Sequence, residues 1–104
     1  MNTILIDKFT IPETARTEFL ERLTINRNFI HTLPGFIRDS LYETTDENGT
    51  FNVVTVAVWE NEEKFLNAKK AVAAEYAKQG FDISSMMRRL GMTMERGVYK
   101  TMSV

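Results

Sequence analysis

Trp59 is the only tryptophan in the chain, and it ends the most continuous β-type run, Phe51-Asn52-Val53-Val54-Thr55-Val56-Ala57-Val58-Trp59. Two small residues on the same strand face, Thr55 and Ala57, precede it. A large flat ring beside small neighbours can stack on a planar ligand; otherwise it is a core residue with its N–H paired. Asp7 follows Ile6 on an apolar stretch. Facing solvent it does nothing special, which is the simpler expectation; buried, it could act as a base toward a phenol. His31, the only histidine, could move a proton near neutral pH or serve as a cation at a helix C-terminus. No Ser or Cys partner is in view for it. Tyr76 could donate a hydrogen bond into a pocket or close an apolar helix stripe. Thr55 and Phe65 complete the candidate binding set. Arg38 and Arg96 lie on strand-like segments, where they could hold an anionic group or form cross-strand or intersubunit ion pairs.

Elements of ordinary size must position these groups. The 104 residues suit one domain, 1–104, and a hydrophobic fraction of 43% supports a small core. A net charge of -1 gives no bulk electrostatic case for nucleic acid or an anionic membrane. The absence of cysteine excludes disulfides, thiolate metal sites and a cysteine nucleophile. No metal motif, phosphate loop or nucleotide fingerprint is present. The N-terminus has no basic region followed by a long apolar one, and no apolar run approaches the roughly 20 residues that span a bilayer. A cytoplasmic protein with no cofactor and no membrane partner is the expectation.

Residues 3–10 alternate as a first strand. Pro12 suits a helix start. Ala15, Phe19, Leu20, Leu23, Ile30 and Leu33 recur at helical spacing, with Arg16, Glu18, Glu21, Arg22 and Arg27 on the other face; Leu33-Pro34-Gly35 stops the helix. Phe36 to Thr44 alternates again, and Asn48-Gly49 predicts a hairpin into the Phe51–Trp59 strand. That strand is apolar at both odd and even positions, so it should be central and covered on both faces. Asn61 can cap a helix whose stripe is Phe65, Ala68/Lys69, Val72 and Tyr76, ended by Gly80. Asp82 caps a short helix through Leu90, and Met92 to Met102 reads as a last strand. The order β-α-β-β-α-(α)-β predicts an α+β, ferredoxin-like fold with a four-stranded antiparallel sheet. Helices would cover one sheet face. The other, also partly apolar, would be covered by a second copy, giving a homodimer through the open sheet face. Met86, Met87, Met92 and Met94 gather around the third helix and last strand as core or as one adaptable wall.

Phe9-Thr10-Ile11-Pro12 leading into Phe19-Leu20-Glu21-Arg22, then Leu33-Pro34-Gly35-Phe36, then Val56-Ala57-Val58-Trp59-Glu60-Asn61-Glu62-Glu63-Lys64-Phe65, together resemble the antibiotic biosynthesis monooxygenase family of dimeric α+β barrels. The resemblance implies that fold, the dimer, and oxidation of an aromatic or quinol-type small molecule without metal or flavin. Polyketide oxygenases of the family place an Asn four residues before this Trp and a Tyr six after it; here those positions hold Thr55 and Phe65. Haem-degrading relatives carry an Asn where Asp7 stands, and a Trp and an axial His near Ala68 and Lys78; without that His there is no iron ligand. Two readings stay open. One is a cofactor-independent monooxygenase with Trp59 as a wall and Tyr76, Asp7 or His31 orienting or deprotonating the substrate. The other is a non-catalytic dimeric small-molecule-binding or structural module.

Overall fold

The computed structural model describes all 104 residues. Strand β1 (Thr3–Ile11) leads through a 3₁₀ turn (Glu13–Ala15) into helix α1 (Arg16–Ile30). Strands β2 (Phe36–Thr45) and β3 (Phe51–Trp59) form a hairpin, followed by helices α2 (Glu62–Gln79) and α3 (Ile83–Leu90) and strand β4 (Thr93–Lys100). All neighbouring strands pair antiparallel in the order β2-β3-β1-β4. This is the expected ferredoxin-like α+β fold, with β3 and β1 in the centre. No helix is long and apolar enough to cross a membrane.

Local chemistry sets the boundaries. Helix α1 is shorter than its apolar spacing suggested. It ends at Ile30, and the N–H groups of His31, Thr32 and Leu33 turn back onto the carbonyls of Arg27, Phe29 and Ile30. Leu33 therefore packs from the turn rather than from the helix. In the β2–β3 loop, Asp46 Oδ1 accepts from the N–H groups of Asn48 and Thr50, and Gly49 takes the left-handed conformation the turn needs. Asn61 and Asp82 cap α2 and α3 as predicted, accepting from the N–H groups of Lys64 and Ser84.

One irregularity decides which residues face the helices. Phe36 pairs with Trp59, but Arg38, not Ile37, pairs with the next residue, Val58. This bulge inserts one residue into β2. A one-residue offset exchanges strand faces, so Asp39 stands opposite Ala57 and Leu41 opposite Thr55, on the helix side, while Arg38 goes to the other face.

The core falls into two clusters. At one end Ile11, Ala15, Phe19, Phe51, Val53, Met86 and Met92 are buried together. At the other end Trp59, Phe65 and Ala68 form a second group, backed by Leu5, Ile30, Leu33 and Phe36. A domain of this size normally has one contiguous core. Here a cavity lies between the two parts. The opposite sheet face presents Ile4, Ile6, Val54 and Val58 with Tyr42 and Tyr99 at its margins, and both tyrosines are largely exposed.

Candidate functional site

The cavity has a volume of about 330 Å³ and lies between the helices and the sheet. Its floor is read directly from the strand register. One row runs Leu41, Thr55, Asp7, Arg96 across all four strands, and the next begins Asp39, Ala57, Leu5. Leu23, Asn26, Arg27 and Ile30 of α1 and Phe65, Ala68, Val72 and Tyr76 of α2 form the roof. Fifteen of its 22 lining residues are hydrophobic, the balance of a site for an apolar ligand oriented by a few polar groups. If sealed and dry, a void this size would cost about 8 kcal/mol at roughly 24 cal/mol per Å³. That rivals the whole stability of a small domain, about 5–15 kcal/mol. The space is therefore not a sealed, dry void.

Trp59, Asp7, Tyr76, Thr55 and Phe65 all line this one cavity. Trp59 is 3% exposed and meets the Phe36 ring edge-to-face at 5.5 Å. Its indole N–H was expected to be paired if the residue were simply core; instead Nε1 is buried without a hydrogen-bond partner. Most buried polar groups are paired, so this donor stands out.

The expectation that Asp7 faces solvent is overturned. It is 6% exposed, on the helix side. The reason lies opposite it on β4: Arg96 Nε donates to Oδ1 at 2.7 Å and Nη2 to Oδ2 at 2.9 Å. A buried carboxylate is tolerated when a planar guanidinium satisfies both oxygens. Arg96 is thereby the cross-strand ion pair anticipated for it, and the Arg96 guanidinium is held even more firmly protonated by that hydrogen bond. Arg38, its counterpart in the sequence reading, sits on the other sheet face and does not reach the cavity.

His31 is outside the cavity lining. It caps the end of α1, tilts against Phe36 at 4.8 Å, and brings Nε2 within 3.2 Å of Asp39 Oδ1. Asp39 does line the cavity and accepts two hydrogen bonds from Arg27, from Nε at 2.7 Å and Nη2 at 2.9 Å. The Arg27 hydrogen bond, with a smaller contribution from His31, holds the Asp39 carboxyl below its ordinary range despite partial burial. His31 thus belongs to a hydrogen-bonded cluster with Asp39 and Arg27 at the cavity rim, not to the group that would touch a ligand.

Tyr76 reaches the cavity from α2, and its hydroxyl makes no hydrogen bond inside the protein. Burial pushes its pKa up; the cations of Arg22 and Arg96 pull in the opposite direction. The phenol is therefore a protonated donor at neutral pH. No group of three or more His, Asp or Glu side chains comes together that could hold a metal ion.

Four polar lining residues lie outside the sequence-based set of candidates: Asn26, Arg27, Asp39 and Lys69. Asn26 Oδ1 is buried without a partner. Asn26 and Ile30 are four apart and share a helix face, so the signal was a polar residue on the apolar stripe. Helical spacing puts Arg27 on the solvent face, and the facing of Asp39 depends on the β2 bulge.

The antibiotic biosynthesis monooxygenase model matches residues 3–79. No curated protein sequence matches significantly. SnoaB, a cofactor-independent oxygenase from Streptomyces nogalater, is 22% identical and superposes with a TM-score of 0.71 over 99% of this chain and 95% of its own. A Bacillus cereus protein provisionally named an antibiotic biosynthesis monooxygenase is 26% identical, with a TM-score of 0.66 over 99% of this chain and 95% of its own. A dimeric ferredoxin-like protein from an uncultured marine organism is 11% identical, with a TM-score of 0.67 over 99% and 98% of the two chains. With three quarters of its length matched by the family model, the chain belongs to the antibiotic biosynthesis monooxygenase family.

Proposed function

We propose that the protein is a cofactor-independent monooxygenase acting on an aromatic or quinol-type small molecule held between helices and sheet. The observation that carries this reading is the cavity that divides the core and gathers Trp59, Tyr76 and the Asp7–Arg96 pair on its walls. In such chemistry the substrate supplies the electrons. Loss of a proton from an activated carbon leaves a carbanion that reduces O₂; one oxygen atom becomes a carbonyl and the other leaves as water. The protein's task is to desolvate and orient the substrate. Trp59 would supply a flat wall and an uncommitted N–H, Tyr76 a free phenol donor, and Arg96, paired with Asp7, the cationic edge of the floor. The cofactor-independent oxygenase activity of SnoaB supports the reaction type.

A second reading, a non-catalytic dimeric binding module, is favoured by Asp7. Both of its oxygens already accept from Arg96, so no free base faces the cavity. Thr55 and Phe65 also replace the polar pair found in the family's polyketide oxygenases. The two readings separate in one experiment. O₂ consumption and tryptophan fluorescence are followed with hydroquinones and anthrone-like phenols. The expected result is turnover and saturable quenching in the wild type, turnover loss of about tenfold or more in Trp59→Phe, and loss of both signals in Ala57→Phe, which fills the floor. Binding without O₂ uptake selects the binding module. Neither signal refutes both.

We further propose that the chain is a homodimer in the cytoplasm, with the open sheet face of each copy covered by the other. The apolar side chains of that face and the dimeric ferredoxin-like neighbour support it.

A further inference from the structure

We propose that Arg22, which does not itself line the cavity, is the residue that positions the Tyr76 ring in it. The inference rests on the reading above that Tyr76 is the cavity's free donor. The geometry begins at the end of α2. Gly80, in the left-handed conformation, turns the chain so that Phe81 N–H bonds the Tyr76 carbonyl at 2.8 Å. Phe81 thereby folds back onto the helix, and its ring meets Tyr76 edge-to-face, 5.0 Å away at 89°.

Arg22 comes from α1 and caps this pair. Its Cζ lies 3.5 Å over the Phe81 ring and 5.3 Å from the centre of Tyr76. Nη2 donates to Gln79 Oε1, and Gln79 Nε2 donates to Glu75 Oε2 at 2.9 Å. The guanidinium is therefore held by stacking and, at Nη2, by a hydrogen-bonded relay one turn long on α2, while its Nε is buried without a partner.

Tyr76 has no comparable anchor of its own, because its hydroxyl bonds nothing in the protein. Only ring packing sets where the phenol points. Removing Arg22 leaves Phe81 held only by its packing against the larger core cluster and its backbone bond to Tyr76, and so loosens the contact that sets the Tyr76 ring. The charges acting on the phenol come from three elements: Arg22 on α1, Arg96 on β4 and Asp7 on β1. Arg96 is already neutralised by Asp7, whereas Arg22 bonds only the neutral Gln79 amide, so the loss of Arg22 changes both the position and the electrostatics of the ring.

The test uses protein carrying ring-labelled tyrosine, with the three tyrosine resonances assigned by Tyr→Phe variants. In Arg22→Met the Tyr76 phenol should ionise at a higher pH than in the wild type, and in Arg22→Lys it should return toward the wild-type value. Hydroquinone affinity, read from Trp59 quenching, should fall about tenfold in Arg22→Met. Tyr76→Phe combined with Arg22→Met should lose no more than Tyr76→Phe alone. Unchanged Tyr76 titration in Arg22→Met, or losses that simply add in the double variant, overturns the proposal. If Arg22→Met does not fold, Arg22→Lys, which keeps the charge but not the planar stack, must still shift the Tyr76 ring resonances; if it does not, the proposal falls. Should no ligand quench Trp59 in the wild type, the oxygenase reading fails, yet the tyrosine titration still decides the role of Arg22.

Discussion

The Asp7–Arg96 pair offers the sharpest test of how the site is held. Arg96→Met removes both donors and leaves a carboxylate that is 6% exposed without a partner. Breaking a fully buried pair costs about 3–5 kcal/mol. The Arg96 side chain is 46% exposed, so its removal opens a path for water, and the cost should fall to about 2–3 kcal/mol. For a domain near 100 residues each kcal/mol moves Tm by roughly 4–8 °C, which makes a drop of about 10–20 °C. Asp7→Leu combined with Arg96→Met places apolar groups where the charges were. It should recover most of the loss, because a well-packed apolar replacement of a buried pair is often close to neutral. The assay is thermal and chemical denaturation of the four proteins of the cycle at one protein concentration, so that any dimer equilibrium is held constant. A double variant as unstable as the sum of the singles would mean that the pair is not an energetic unit and that Asp7 is hydrated some other way.

Two further outcomes are expected. Asp39, whose carboxyl is held below its ordinary range by Arg27, stabilises the fold above the ordinary carboxylate pKa of about 4, and this contribution is lost as the pH falls through its lower folded value. Asp39→Asn should therefore be about 1–2 kcal/mol less stable than the wild type at neutral pH, with the difference shrinking below pH of about 4; a gap independent of pH in denaturant titrations rules the linkage out. Light scattering at micromolar concentration should give the mass of two chains, and Val54→Lys, a charge in the middle of the open face, should give one; a monomeric wild type removes the dimer.

The division of the core explains how so small a chain can carry a cavity. The cluster around Phe19, Phe51, Met86 and Met92 is closed by α1, α3 and the outer ends of β1 and β3. It contains no site residue. The cluster around Trp59 and Phe65 is smaller and depends on the Pro34–Gly35 turn, where Gly35 takes a positive φ and a side chain would strike Lys64. The larger buried cluster lies at one end, and none of its seven buried residues lines the cavity. The two Arg–Asp pairs then act as struts. One joins β1 to β4, and the other joins α1 to the edge strand β2.

The elements were legible because their signals are local. Periodicity, Asn and Asp caps, and glycines after helices each state their business within a few residues. The candidate site was legible where the family motif marks it, at Thr55, Trp59 and Phe65, and where a stripe ends, at Tyr76. Asp39 was not, because its facing depends on a bulge. Counting by twos from Phe36 sends Arg38 to the cavity, and the inserted residue sends Asp39 there instead. Arg27 looked like one more solvent charge on a helix already rich in them, and only the position of Asp39 turns it inward. Asp7 shows the limit most clearly. A lone carboxylate among apolar neighbours is costly inside a protein, so reading it as exposed was sound for β1 taken alone. What reverses the answer is Arg96, 89 positions later in sequence and directly opposite in register. Alternation on β4 says which face Arg96 takes, and the antiparallel pairing of β1 with β4 says which residue it meets. A buried charge is thus a property of a strand pair, and it becomes readable only once the topology has been drawn.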